Sequence, residues 1–223
     1  MYKTGIKLLW SLLLMGTLIA CDRNTDNGGG GDTPDEATVN FGGFEGTTYT
    51  NNFFKISVTL PPDWITNTSE ENRELEKQGM MQLGMNPSLD TTLTIEDYPS
   101  LYLMVAKGPG SEDSTIANVG LIAEKINASM AVADGQEYLT KVKAQIEGLS
   151  NVQIDEGFPK ASETLQGWSE LNATLLFPQI NGKLFQKIYA RLNNGYVLQF
   201  SATYKNEAQE KSVNSIIESL KLD

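Results

Sequence analysis

Residues 53–64, Phe-Phe-Lys-Ile-Ser-Val-Thr-Leu-Pro-Pro-Asp-Trp, set the architecture. Phe54, Ile56, Val58 and Leu60 alternate with Lys55, Ser57 and Thr59, so residues 53–60 have the period of a strand with one buried and one wet face. Pro61-Pro62-Asp63 stops it, because proline has no N–H to give a ladder, and Trp64 follows as a core plug. Thr68 with Glu71 three residues on has the form of a capping box, opening a helix through about Leu83. That helix carries Leu75, Met80, Met81 and Leu83, methionines that suit irregular core gaps.

Working outward, residues 101–106 (LYLMVA) are apolar on both faces, as in a central strand covered from two sides. Lys107-Gly108-Pro109-Gly110 reads as a loop, and two amphipathic helices are expected after it. The first, from about Ser114, presents Ile116, Val119, Ile122, Ala123, Ile126 and Met130 at helical spacing. The second opens with a capping box at Asp134 and Glu137, presents Leu139, Val142, Ile146 and Leu149, and closes near Gly148. Val152 to Ile154 is a short strand, and residues 164–177 read as a longer one containing Trp168. Residues 184–192 and 196–204 join through Asn193-Asn194-Gly195, with a second tight turn at Asn181-Gly182, so 171–204 is a three-stranded antiparallel meander. Asn206 caps a final helix whose Val213, Ile216, Ile217 and Leu220 dock on the sheet. Helices at three points along the chain imply cover on both faces of one sheet.

Phe54-x-Ile56-x-Val58-x-Leu60-Pro61-x-x-Trp64, the strand Gly195-Tyr196-Val197-Leu198 and the closing Ser219-Leu220-Lys221-Leu222 resemble the PsbP-like (Mog/PsbP) fold, which includes envelope lipoproteins similar to DcrB and LpqN. The resemblance covers about residues 44–223 and implies an α+β fold. That fold is an α/β/α sandwich, a central, mainly antiparallel sheet with helices on both faces. It also implies non-enzymatic, binding or accessory roles, with no shared catalytic residues to carry over.

The N-terminus gives an address. Lys3 and Lys7 precede the apolar run 8–20, thirteen residues and too short to span a hydrocarbon core that needs about 20. Leu18-Ile19-Ala20-Cys21 resembles the lipobox of bacterial lipoproteins. The resemblance implies that residues 1–20 are a signal peptide and that Cys21 is diacylated and becomes the mature N-terminus. Two or three acyl chains together hold stably to a bilayer. The expected location is the cell envelope, inner or outer membrane left open. Cys21 is the only cysteine, so its lipidation leaves no thiol chemistry in the domain. Residues 22–38, with four consecutive glycines and almost nothing apolar, read as a disordered part of the tether spanning 21–43, ahead of one domain at 44–223. Asp22, Asn24 and Asp26 match three EF-hand positions, but Asn27 and Thr33 stand where glycine and a bidentate glutamate are needed, so a polar linker is the better reading.

The chain has 17 basic and 28 acidic residues; loss of residues 1–20 removes Lys3 and Lys7 and leaves 15 against 28, a net charge of −13. Such a surface argues against nucleic acid and against charge-driven binding to anionic headgroups. There is no histidine, which removes Ser-His-Asp and Cys-His constellations and HExxH zinc sites. Neither GxSxG, Ser-x-x-Lys, a P-loop nor GxGxxG occurs. No cofactor and no metal are expected.

Carboxylates remain as the abundant reactive group, in the pairs Glu70-Glu71, Glu96-Asp97, Glu112-Asp113 and Asp155-Glu156. Strand neighbours point to opposite faces, so adjacency does not make a site, and solvated acids are favoured over a weak Ca²⁺ site. Tyr98, Tyr102 and Trp168, with Tyr189 and Tyr204, are the candidate lining of a binding groove, against a bland reading as half-buried sheet residues. The sequons at Asn67, Asn127 and Asn172 read as coincidence in a bacterial protein; Asp90-Thr91-Thr92 and Asp113-Ser114-Thr115 resemble a Bacteroidetes O-glycosylation motif. The leading expectation is a membrane-anchored, non-catalytic protein-binding or accessory domain whose partners are the membrane and an envelope protein. Alternatives are a solute-binding lipoprotein and a carboxylate-dependent glycan hydrolase, the latter requiring two converging acids.

Overall fold

The computed structural model describes residues 42–68, 71–72, 100–109, 117–126, 131–147, 149–177 and 182–222. Expectations at Cys21, the tether, Tyr98, residues 75–83, both glycine-flanked turns at 110 and 181, and the pairs Glu96-Asp97 and Glu112-Asp113 lie outside them. The described strands are β1 Gly43–Glu45, β2 Thr48–Asn51, β3 Ile56–Thr59, β4 Ile65–Thr66, β5 Ser100–Lys107, β6 Asn118–Lys125, β7 Val152–Ile154, β8 Lys160–Ala161, β9 Ser169–Phe177, β10 Gly182–Asn193, β11 Tyr196–Tyr204 and β12 Lys221–Leu222. Two helices are described at length, α1 Gly135–Ile146 and α2 Glu207–Ser219.

All pairings among the described strands are antiparallel. The larger sheet runs β4-β5-β6-β11-β10-β9-β7, with β8 also on β9; a smaller one runs β1-β2-β3-β12. β11 is the spine: it pairs with β10 from Tyr196 to Tyr204 and with β6 from Tyr196 to Thr203, and all nine of its residues are buried. The turn before it, Asn194-Gly195, has φ of 50° and 78°, the left-handed pair that a two-residue hairpin needs.

One face of the sheet carries Leu198, Phe200, Ala202, Leu121, Ala123 and Leu101. It is closed by α2 through Val213, Ile216 and Ile217 and by Phe54, Ile56, Val58 and Leu60 of the first hairpin. Ser219 ties α2 to β3 by accepting from the Thr59 N–H and donating to its carbonyl, both at 3.0 Å. Trp64 is the expected plug; it is buried in this core and its indole N–H donates to Ser212 Oγ at 3.2 Å. The opposite face is covered by α1, so the larger sheet has helices on both faces, an α+β arrangement as expected.

The structure corrects four sequence expectations. The segment expected as the first helix after the loop is strand β6. Its residues from Val119 to Glu124 are buried on both sides between β5 and β11, and Gly120 in the middle disfavours helix by about 1 kcal/mol. The strand expected at 53–60 begins only at Ile56, because Lys55 adopts φ 53° in the turn from β2, although Phe54, Ile56, Val58 and Leu60 all face the core. The strand expected at 164–177 starts at Ser169; residues 164–168 form a turn through Gly167 at φ 77°. Leu149 lies beyond the end of α1 and is exposed. The caps stand: Asn206 accepts from the Gln209 N–H at 3.0 Å, and Thr68 and Glu71 bond reciprocally at 2.7 and 3.2 Å.

Gly135, at the first turn of α1, sits against the Ala190 carbonyl so closely that a Cβ would overlap it. Propensity alone favours alanine over glycine in a helix by up to about 1 kcal/mol. The clash opposes a rigid backbone atom in a buried ladder, so Gly135→Ala is expected to destabilise by about 2 kcal/mol or more. Chemical denaturation beside Gln136→Ala, an exposed neighbour on the same helix, measures the sign; a stabilised Gly135→Ala protein overturns the tight docking of α1.

Candidate functional site beneath the first helix

The face of the sheet under α1 is buried yet partly polar. β11 sends Val197, Gln199, Ser201 and Thr203 to it. Register places Gln199 between Ile122 and Ala190, Ser201 between Gly120 and Ile188, and Thr203 between Asn118 and Gln186. Glu124 joins the same face opposite Val197. Glu124, Gln199, Ser201, Thr203 and Gln186, all buried, thus form a polar strip flanked by two apolar clusters. One is Tyr138, Leu139, Val142, Leu171, Ile188, Ala190 and Val197; the other is Tyr102, Val105 and Ile122.

The helix is set on this face by its cap. Asp134 Oδ1 accepts from the Glu137 N–H at 2.8 Å, and Glu137 reaches back to the Ala133 N–H at 2.8 Å, one residue before the position a capping box uses. That phase points Tyr138 into the sheet. Its hydroxyl lies 2.7 Å from Glu124 Oε2 and 3.0 Å from Gln199 Oε1. Burial pushes the Glu124 carboxyl up to about 7, with the Tyr138 hydrogen bond pulling the other way. Burial, and then the charge of Glu124, hold the Tyr138 phenol well above its ordinary range.

The proton count fits a neutral Glu124. A phenol has one proton to give and faces two acceptor oxygens here. A protonated Glu124 donates to the Tyr138 oxygen and frees the phenol proton for Gln199 Oε1. An ionised Glu124 takes the phenol proton and leaves Gln199 Oε1 facing a second acceptor. The group can therefore hold or release a proton near neutral pH, and the rest of the strip can give and take hydrogen bonds.

Among the described residues the other buried carboxylate points away. Glu170 pairs with Tyr189 on the α2 face, where Ser162 Oγ donates to it at 3.0 Å and Lys160 Nζ lies 3.7 Å off. The sheet separates it from Glu124, so these two acids do not converge. Asp155 and Glu156 are exposed beside β7. Of the aromatic candidates, Tyr102 is buried on the α1 face and Trp168 in the α2-side core, so the structure does not bring them together. Tyr189 and Tyr204 share the α2 side with Trp168, and Tyr204 donates to Glu210 Oε1 at 3.0 Å. Sequence reasoning missed Glu124, Gln199 and Tyr138. The signal for Gln199 was its place on one face of β11 with Ser201 and Thr203, opposite the apolar Leu198, Phe200 and Ala202.

No protein-family model and no curated protein matches this sequence. Among solved structures, the chain is similar to a protein of Bacteroides thetaiotaomicron VPI-5482, with 12% identity and TM-score 0.40 over 81% of this chain. It spans about half of that protein, 49% of its length. It is also similar to the cyanobacterial PsbP of Synechocystis sp. PCC 6803, with 11% identity, TM-score 0.45 and coverage of 79% and 91% of the two chains. A third similarity is to LpqN of Mycobacterium tuberculosis, involved in cell envelope biogenesis, with 16% identity, TM-score 0.43 and coverage of 81% and 86%. PsbP and LpqN are proteins that the sequence also resembles.

Glu124 gives the fold a pH signature. Between about 4.5 and about 7 the folded state holds a proton that the unfolded state has released, so stability falls as pH rises through that window. The change is on the order of a few kcal/mol. Glu124→Gln keeps a hydrogen-bonding group against Tyr138 without the titration. Urea denaturation of both proteins at pH 5 and pH 8 is expected to show the wild type losing stability relative to Glu124→Gln as pH rises from 5 to 8; a difference between the two proteins that is the same at both pH values refutes the assignment.

Proposed function

We propose that this chain is a lipid-anchored, non-catalytic binding domain of the bacterial cell envelope that holds a protein partner. The observation that supports the reading most is the N-terminal sequence, a short apolar run ending in Leu-Ile-Ala-Cys and followed at once by the glycine- and acid-rich segment 22–38. An anchor of that kind holds a domain at a membrane without spanning it. Among the described residues no helix is long and apolar enough to cross a membrane.

The non-catalytic part has its own support. The sequence has no histidine and a single cysteine, which the lipid would occupy. Glu124, the one described carboxyl with a pKa raised into the range of a general acid, faces Tyr138 and Gln199 instead of a second acid. A second reading, a small polar solute held against the strip of Glu124, Gln199, Ser201, Thr203 and Gln186, is favoured by the concentration of hydrogen-bonding groups on that face.

In cell fractionation the wild type is expected in the membrane fraction and Cys21→Ser in the soluble one; a Cys21→Ser protein that stays with the membrane removes the anchor. Crosslinking in cells with mass spectrometry then separates the two binding readings. A single envelope protein captured by the anchored form supports a protein partner. No specific capture, with a rise in melting temperature on adding sugars or small cations, moves the assignment to a solute.

A further inference from the structure

The chain that follows Cys21 enters the domain at Gly42, and that end of the fold presents two exposed aromatic rings. Phe44 is 39% and Phe53 37% exposed, high for side chains of their size. Gly42 packs on the Thr50 carbonyl and the Tyr49 hydroxyl closely enough that a Cβ would overlap both. The Tyr49 hydroxyl accepts from Asn51 Nδ2 at 3.4 Å, and Asn51 Oδ1 accepts from the backbone N–H groups of Phe53 and Phe54 at 3.1 Å each. The point of entry and the Asn51 turn that carries Phe53 are therefore joined through Tyr49, on whose ring Phe44 also packs.

The rings are held in place. Phe44 lies 5.5 Å from the Tyr49 ring, and Phe53 sits edge-to-face on Phe54 at 4.8 Å and on Tyr196 at 6.2 Å. Asn194 Nδ2 donates to the Phe53 carbonyl and Asn193 Nδ2 to that of Phe54, both at 2.8 Å. Exposed Lys55 and Glu45 flank the rings with opposite charges.

We propose that the Phe44–Phe53 edge is the membrane-contacting surface of the domain and sets its rings into the headgroup region of the bilayer that holds the Cys21 lipid. The inference rests on the anchor reading above. Residues 21–41 separate Cys21 from this edge. A glycine-rich chain of that length has an r.m.s. span of about 25 Å, which keeps the edge within reach of the bilayer surface. Two half-exposed rings bind lipid weakly by themselves, but a tether makes the contact intramolecular, at an effective concentration in the millimolar range. The net charge of −13 left after loss of residues 1–20 gives no help from anionic lipid, so the contact must be apolar. Two rings are also too small a patch for a stable protein interface, which buries about 800 Å² on each partner.

The test uses the lipidated full chain on phosphatidylethanolamine and phosphatidylglycerol vesicles with brominated acyl chains, which quench tryptophan on contact. Phe53→Trp puts the probe on the proposed edge; Ile65→Trp puts it on β4, which pairs with the Lys107 end of β5, away from Tyr196. Phe53→Trp is expected to lose about half or more of the probe's emission while Ile65→Trp keeps it, given a ring at headgroup-to-acyl depth. Equal quenching, or none while the protein floats with the vesicles, overturns the contact and leaves the anchor standing. Protein that fails to float overturns the anchor, and the contact with it.

Discussion

The register of β11 is the constraint on which the rest of the structure depends. The strand is buried along its whole length and carries two different chemistries, Tyr196, Leu198, Phe200, Ala202 and Tyr204 toward α2, and Val197, Gln199, Ser201 and Thr203 toward α1. A slip of one residue would turn Leu198 and Phe200 under α1 and drive Gln199 and Ser201 into the dry α2-side core. Each unmatched polar group there costs about 1–3 kcal/mol, which suffices to fix the register against marginal overall stability. Pairing to β6 and β10 passes that register outward, and β10 passes it to β9.

The polar side of β11 in turn needs a partner that reaches into the sheet, and α1 supplies it. Tyr138 arrives between Glu124 and Gln199 only because the cap at Asp134 fixes the phase of the helix and because Gly135 lets the backbone approach Ala190. The α2 side solves its polar problem at the rim instead. Lys187, opposite Ala202, reaches Glu210 Oε1 at 3.1 Å and Asn214 Oδ1 at 2.9 Å beside the Tyr204 ring. The Lys187–Glu210 pair is partly exposed and contributes little stability, whereas the Glu124–Tyr138–Gln199 chain lies where leaving an atom unmatched is costly.

Elements whose evidence is local were legible in the sequence. The caps at Thr68, Asp134 and Asn206, the Asn194-Gly195 turn and the closing helix each depend on residues a few positions apart. β5 was legible as a run apolar on both faces. β6 has the same composition, but Val119, Ile122, Ala123 and Ile126 also fit helical spacing, and only the neighbouring β5 and β11 decide between the two. The site was illegible for a related reason: Glu124 lay in the misassigned segment, and Tyr138 meets Gln199 across 61 residues of chain. The sheet edge β1-β2 escaped notice because Gly43–Asn51 has mostly exposed residues and little alternation of apolar groups.

The same long-range pairing makes the N-terminal edge a rigid part of the domain. Asn193 and Asn194 belong to the hairpin that registers β10 against β11, yet their side chains bond the carbonyls of Phe54 and Phe53 in the turn between β2 and β3. Tyr196, the first residue of β11, packs its ring on both phenylalanines, at 5.3 and 6.2 Å. The β2–β3 turn is therefore clamped by the start of the central strand from backbone and side chain alike, with Lys55 held at φ 53° between them. An orientation imposed on Phe53 passes to β11 through these bonds without a hinge. The clamp thus joins the Asn51–Lys55 turn to the same strand that carries the polar strip under α1, on the opposite side of the larger sheet from the small sheet and α2.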